Sequence, residues 1–214
     1  MKINALEWLN FNKYKAQNEA LATIKYDNRI VFMGDSITEF WNTADPSFFE
    51  EQHYINRGIS GQTTPQILLR FRADVIALEP DIVHILAGVN DIAGNSGPTS
   101  IEMIAGNIFS MAELANSHSI KVILCSVLPA YDFPWSTNQN PAEKIIALNK
   151  LIKAYALEHN MEYIDYFTAM KDNRNGLQAV YSEDGVHPNK VGYQVMAPLA
   201  QHAIQKISKQ NSEK

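Results

Sequence analysis

Arg29-Ile30-Val31-Phe32-Met33-Gly34-Asp35-Ser36 is an apolar run that ends on a glycine, a carboxylate and a hydroxyl. A short, near-continuous apolar run reads as a strand buried on both faces, the kind that parallel sheets contain. Asp and Ser directly after it are helix-capping residue types. The stretch therefore reads as strand, turn, helix, with Ser36 where the chain leaves the sheet.

The same reading extends along the chain. Tyr54-Ile55-Asn56, Ile82 to Ala87, Lys121 to Ser126 and Tyr163 to Tyr166 give four further strands. Helix start signals stand between them: Thr64-Pro65, Thr99 with Glu102 as a capping box, and Asn140-Pro141 with Glu143. The first 24 residues read as helical, broken near Asn10 or Asn12, within a 1–28 extension packed on a single domain spanning 1–214. Asn189 reads as the cap of a last helix, which Pro198 should kink or split. Alternating strands and helices imply βαβ crossovers, hence a three-layer α/β/α sandwich with a five-stranded parallel sheet. Ligands of open parallel sheets bind outside the carboxyl ends of the strands. Ser36, Gly58, Asn90 and the 127–140 loop all follow strands, so they fall on one edge.

Composition bounds the alternatives. Of 214 residues, 46% are hydrophobic and 19% charged, with a net charge of −5. This is the balance of a globular domain and offers no basic stretch for nucleic acid. The one cysteine, Cys125, excludes an internal disulfide and a thiolate zinc cluster, and reads as a buried core residue. No segment approaches the roughly 20 apolar residues that span a bilayer. The start, Met1 to Trp8, has no signal-like apolar region. The expectation is a cytoplasmic protein if the chain is complete, and a periplasmic or secreted one if a signal peptide has been removed.

The polar residues on the expected sheet edge suggest acyl transfer. Ser36 would expose its hydroxyl there, with its amide at a helix N-terminus as an oxyanion donor; the plain alternative is a helix cap. In Asp184-Gly185-Val186-His187-Pro188, a turn at Gly185 would fold Asp184 back onto His187, giving a base with its orienting carboxylate. The alternative is a turn carrying a surface histidine. Gly88-Val89-Asn90-Asp91 follows a strand, and Asn90 can donate to a developing oxyanion, although Gly and Asn are also common turn residues. In Asn56-Arg57-Gly58-Ile59-Ser60-Gly61, Gly58 could bring an amide near substrate, or both glycines could simply shape a loop. His84 lies within a strand run and reads as a satisfied core histidine. Asp35 and Asp91 read as local hydrogen-bond supports.

Gly34-Asp35-Ser36, Gly58, Gly88-Val89-Asn90-Asp91 and Asp184 to His187, in this order, resemble the four sequence blocks of the SGNH hydrolases, the GDSL family of esterases and lipases. Ile37 stands where the family name has Leu. The resemblance covers most of the chain. It implies a flavodoxin-like fold and a serine carboxylic-ester hydrolase. Ser36 would be the nucleophile, His187 the base and Asp184 its support. The amides of Ser36 and Gly58 and the Asn90 side chain would form the oxyanion hole. It also implies that neither metal nor cofactor is needed.

Substrate is less defined. Tyr131, Phe133 and Trp135 crowd the loop after the fourth strand, and Trp41 lies five residues past Ser36. Trp41, Tyr131 and Trp135 are candidates for substrate contact, the alternative being loop packing. With no evident lid, the reading is a short acyl group, such as acetyl, on a carbohydrate or other small alcohol. The chain also resembles acetylhydrolases related to platelet-activating-factor acetylhydrolase, which keeps a lipid-derived substrate open. A lysophospholipase or acyl-thioesterase activity, and a non-catalytic carbohydrate-binding domain on the same fold, are the alternatives.

Overall fold

The five strands expected from the apolar runs form one parallel sheet in a computed structural model that describes residue 10 and residues 12–24, 28–50 and 53–209. They are β1 (Ile30–Gly34), β2 (Ile55–Gly58), β3 (Ile82–Leu86), β4 (Lys121–Cys125) and β5 (Glu162–Ile164), in the order β2-β1-β3-β4-β5. Every residue of β1 and β3 is buried, as strands covered on both faces require. The order reverses beside β1, so the crevice between the ends of β1 and β3 is a topological switch point. Register sets Gly34 opposite both Gly58 and Leu86, which brings the ends of three strands level.

The helices, in chain order, are α1 (Lys15–Ala22), α2 (Ser36–Ala44), α3 (Pro46–Glu50), α4 (Thr64–Asp74), α5 (Val89–Ile92), α6 (Ile101–Ser117), α7 (Pro141–Glu158), α8 (Tyr166–Met170) and α9 (Lys190–Lys209). α4, α6 and α7 pack in succession on one face, and α2, α9 and α8 are neighbours on the other. The result is the three-layer α/β/α sandwich. Asn10 takes a left-handed φ of 50°, and α1 begins at Lys15. The rest of the expected N-terminal helix, residues 1–9, lies outside the described residues.

Several local expectations shift. Thr63, not Thr64, caps α4 and shares a capping box with Gln66. Ser100, not Thr99, caps α6 by accepting from the Met103 amide. Asn140 precedes α7 in a left-handed conformation without capping through its side chain. The fifth strand stops at Ile164 because Asp165 caps α8, accepting from the Thr168 amide at 2.9 Å. Pro198 does not split α9. Pro198 and Gln194, whose carbonyl the proline leaves without a helical donor, are both exposed, so water can take that acceptor.

Trp41 requires a substantive correction. It is fully buried, stacked on Phe48 at 4.5 Å and on Tyr193 at 5.3 Å, in a core with Phe32 and Phe49. It faces away from the sheet edge because Ser36, Ile37, Thr38 and Trp41 form the buried face of α2. Its burial contributes about 1.5–3 kcal/mol of transfer free energy, and it is not a substrate contact.

Buried polar groups lie beneath the carboxyl edge of the sheet. Arg70 is fully buried. It donates to the Gly34 carbonyl at 2.9 Å, to Gln62 Oε1 at 2.5 Å and to Asp74 at 2.8 Å. Asp91 accepts from the amide and hydroxyl of Thr64, and Asp35 accepts from the Ile37 amide at 3.0 Å. The two aspartates are thus the local supports that the sequence suggests. Burial pushes the Asp35 carboxyl up to about 7, against the pull of the Ile37 amide and with added repulsion from Asp91. Burial similarly raises Asp91 to about 6, opposed by Thr64.

A carboxyl raised in the folded state binds more protons there than in the unfolded chain. From the ordinary value of 3.8 up to about 7, the Asp35 contribution to stability therefore falls as pH rises. Asp35→Asn keeps an acceptor for the Ile37 amide and removes the charge. The variant should melt above the parent at pH 8, and the difference should close near pH 4. Calorimetry at both pH values checks this, and a lower melting temperature at pH 8 would contradict it.

Candidate active site

Ser36 is the first residue of α2, directly after β1, so its amide points out of the helix N-terminus with no acceptor in the preceding turn. Its Oγ lies 2.9 Å from His187 Nε2. His187 Nδ1 lies 2.6 Å from Asp184 Oδ2. Gly185 takes φ +79°, and the turn wraps the other carboxylate oxygen: Asp184 Oδ1 accepts from the amides of Val186 (2.9 Å) and His187 (2.8 Å) and from Ser182 Oγ (3.1 Å). Burial alone would raise the Asp184 carboxyl, but its bonds from the His187 ring, the His187 amide and the Val186 amide hold it down at about 2. An ionised carboxylate only accepts, so Nδ1 carries the proton and Nε2 presents its lone pair to the Ser36 hydroxyl. Burial in turn keeps that hydroxyl close to its partner, since Ser36 is only 4% exposed.

Asn90 lies in α5, just after Gly88, which takes φ +123° where an added Cβ would come within 2.9 Å of Leu148. The Asn90 side chain is buried, donates to the Gln62 carbonyl at 3.0 Å and accepts from Asn95 Nδ2 at 2.8 Å. One N–H of its amide remains for a further acceptor.

Gly58 is placed differently from the expectation. Its amide donates to Asn56 Oδ1 at 2.9 Å and its carbonyl accepts from Tyr14 at 2.5 Å. A Cβ there would stand 2.2 Å from the Glu39 amide nitrogen, so this glycine lets β2 approach α2. With its amide already committed, Gly58 is not the free oxyanion donor that the sequence suggests. Gly61, three residues on, takes φ +77°, and its amide has no acceptor among the described residues. Its loop is braced at both flanking residues. Ser60 donates its amide and hydroxyl to Glu39 Oε2, and Arg70 holds Gln62.

The aromatic loop divides. Phe133 is fully buried, while Tyr131 and Trp135 are 55% and 45% exposed. The Trp135 ring lies 5.9 Å from that of His187, and its Nε1 donates to Asn95 Oδ1 at 3.1 Å. Tyr131 carries the Arg174 guanidinium on its face at 4.7 Å. It lines a cavity of about 220 Å³ that also reaches Arg174, Leu177, Asp184 and Gly185. Phe40, missed in the sequence, is exposed, with its ring 5.4 Å from His187. Its place four residues after Ser36, on the same side of α2, is the signal that could have found it. His84 is a core residue, bonded to Tyr166 at 2.9 Å, and burial lowers it to about 3, so it stays neutral. Among the described residues no helix is long and apolar enough to cross a membrane.

Comparisons with known proteins give the family. The sequence model of the GDSL-like Lipase/Acylhydrolase family matches residues 32–195, which include Ser36, Asn90, Asp184 and His187. The chain is similar to a GDSL-like lipase from Bacteroides thetaiotaomicron, with 46% identity and a TM-score of 0.91 over 94% of this chain and 100% of that one. It is 23% identical to subunit alpha2 of platelet-activating factor acetylhydrolase IB from Rattus norvegicus, over 86% of this chain and 80% of the relative. It is 26% identical to an acetylxylan esterase from Geobacillus stearothermophilus, over 67% and 68% of the two chains. The fold and the span of the match make this chain a member of the GDSL-like lipase/acylhydrolase family, the SGNH hydrolases.

Proposed function

We propose that the protein is a serine esterase that removes short acyl groups, acetyl above all, from a carbohydrate or other small alcohol. The observation that carries the reading is the hydrogen-bonded line from Ser36 Oγ through His187 to Asp184. In this reading His187 Nε2 takes the Ser36 proton as Oγ attacks the ester carbonyl. The imidazolium, held by Asp184, then returns that proton to the leaving alcohol. Water, activated by the same histidine, hydrolyses the acyl-enzyme. The Ser36 and Gly61 amides and the free N–H of Asn90 take the oxyanion. Phe40 and Trp135, beside His187, and Tyr131, in the cavity beside Asp184, form a rim for the alcohol.

Ser36→Ala should abolish turnover of p-nitrophenyl acetate while the melting temperature stays near that of the parent. His187→Ala should do nearly the same, because residues acting as a unit are not additive. Near-parental kcat in either variant removes the assignment, and an inactive parent on every ester would favour a binding role.

Asn90→Ala takes away one donor and leaves the nucleophile and base. It should lower kcat by roughly 10²–10³ with KM little changed. An effect confined to KM would make Asn90 a substrate-binding residue.

Acetate and propionate esters should outpace octanoate and longer ones in kcat/KM. A preference for long chains would favour the lipid-hydrolase alternative. Tyr131→Ala should lower kcat/KM for an acetylated oligosaccharide far more than for p-nitrophenyl acetate, where the remote contact is lacking. Equal losses would place Tyr131 in loop packing.

A further inference from the structure

The Asn90 amide can do its work in only one of its two orientations. With Nδ2 inward, one N–H meets the Gln62 carbonyl and the other is left for an oxyanion; turned over, its oxygen would face both acceptors. The group facing Asn90 Oδ1 is Asn95 Nδ2, at 2.8 Å. Asn95 is itself an amide with two orientations, so its own direction needs a cause. That cause is Trp135, whose indole N–H can only donate. It meets Asn95 Oδ1 at 3.1 Å, which turns Asn95 Nδ2 toward Asn90. A backbone bond from the Asn95 amide to the Asn90 carbonyl, 3.0 Å, holds the two residues together. The indole ring is fixed by stacking on buried Phe133 at 5.3 Å and by its place beside His187.

We propose that Trp135 and Asn95 form a positioning relay that sets the direction of the Asn90 amide, so that a tryptophan on the rim of the site aligns an oxyanion donor at its floor. The relay rests on the reading of Asn90 as that donor. Asn95 is exposed, so water competes for its bonds in the free protein. A substrate group seated on Trp135 shields the relay and firms the Asn90 amide. Trp135 then has two separable roles, a ring that packs and an N–H that orients.

Two substitutions separate these roles, the first of them isosteric. Asn95→Asp retains the acceptor for Trp135 but sets an acceptor against Asn90 Oδ1. It should lower kcat on p-nitrophenyl acetate at least about tenfold, with KM little changed, approaching the loss from Asn90→Ala. Trp135→Phe keeps a smaller aromatic face and removes the N–H, and should lower kcat about three- to tenfold, the effect of one neutral hydrogen bond. Each should add little when combined with Asn90→Ala, because the relay has no other route to the reaction. Melting temperatures of all variants should stay near the parent's. Unchanged kcat in Asn95→Asp or Trp135→Phe, or losses that multiply with that of Asn90→Ala, would overturn the relay alone. Unchanged kcat in Asn90→Ala would instead remove the oxyanion reading on which it rests.

Discussion

The parallel register that sets Gly34 beside both Leu86 and Gly58 is the constraint on which the site depends. It brings the ends of β1, β2 and β3 to one level, so the turns that follow leave the sheet side by side at one edge. Ser36 follows β1 by two residues, the Gly61 loop follows β2, and Asn90 sits one turn beyond β3. The buried Arg70 spans the first two of these, bonding the Gly34 carbonyl and the Gln62 side chain from beneath. Gln62 then passes the constraint to Asn90 through its carbonyl. The fourth part arrives from the far end of the chain, where the turn around Asp184 delivers His187 and α9 is tied to α2 by Tyr193, which donates to the Ile37 carbonyl at 2.7 Å.

Electrostatics follows from depth. Asp184, near the surface and surrounded by donors, stays ionised and holds the His187 ring through Nδ1 at 2.6 Å. Asp35 and Asp91 are buried with fewer donors and are pushed toward neutrality. The same residue type therefore orients a base in one place and braces a loop in another, and solvation with hydrogen bonding decides which. Both buried carboxyls adjoin residues of the site, so part of the domain's stability is given up where the geometry has to be held.

The inner strands β1, β3 and β4 were legible because they are short apolar runs covered on both faces, whereas β2 and β5, at the two edges, are part-polar and their bounds differ from the expected ones. The triad was legible because its members are local features: a serine at a strand end, and an aspartate and histidine three apart around a glycine. Trp41 was misread because linear distance from Ser36 does not give helix phase; at five residues on, it shares the buried face of α2, while Phe40, at four, faces His187. Gly58 was misread because nothing in the sequence shows that Asn56 folds back onto its amide. Asn95 was invisible because its partners, Asn90 and Trp135, are joined to it only by the folding of separate loops.

If Ser36 attacks the ester carbonyl, a covalent acyl-enzyme forms on its Oγ, and that species can be trapped. Rapid acid quench of the protein during turnover of p-nitrophenyl acetate, followed by peptide mass mapping, should place an acetyl group on the peptide containing Ser36. No such adduct should form in Ser36→Ala. An acetyl group carried by another residue, or undiminished turnover with no adduct at any point in the time course, would mean that Ser36 is not the nucleophile.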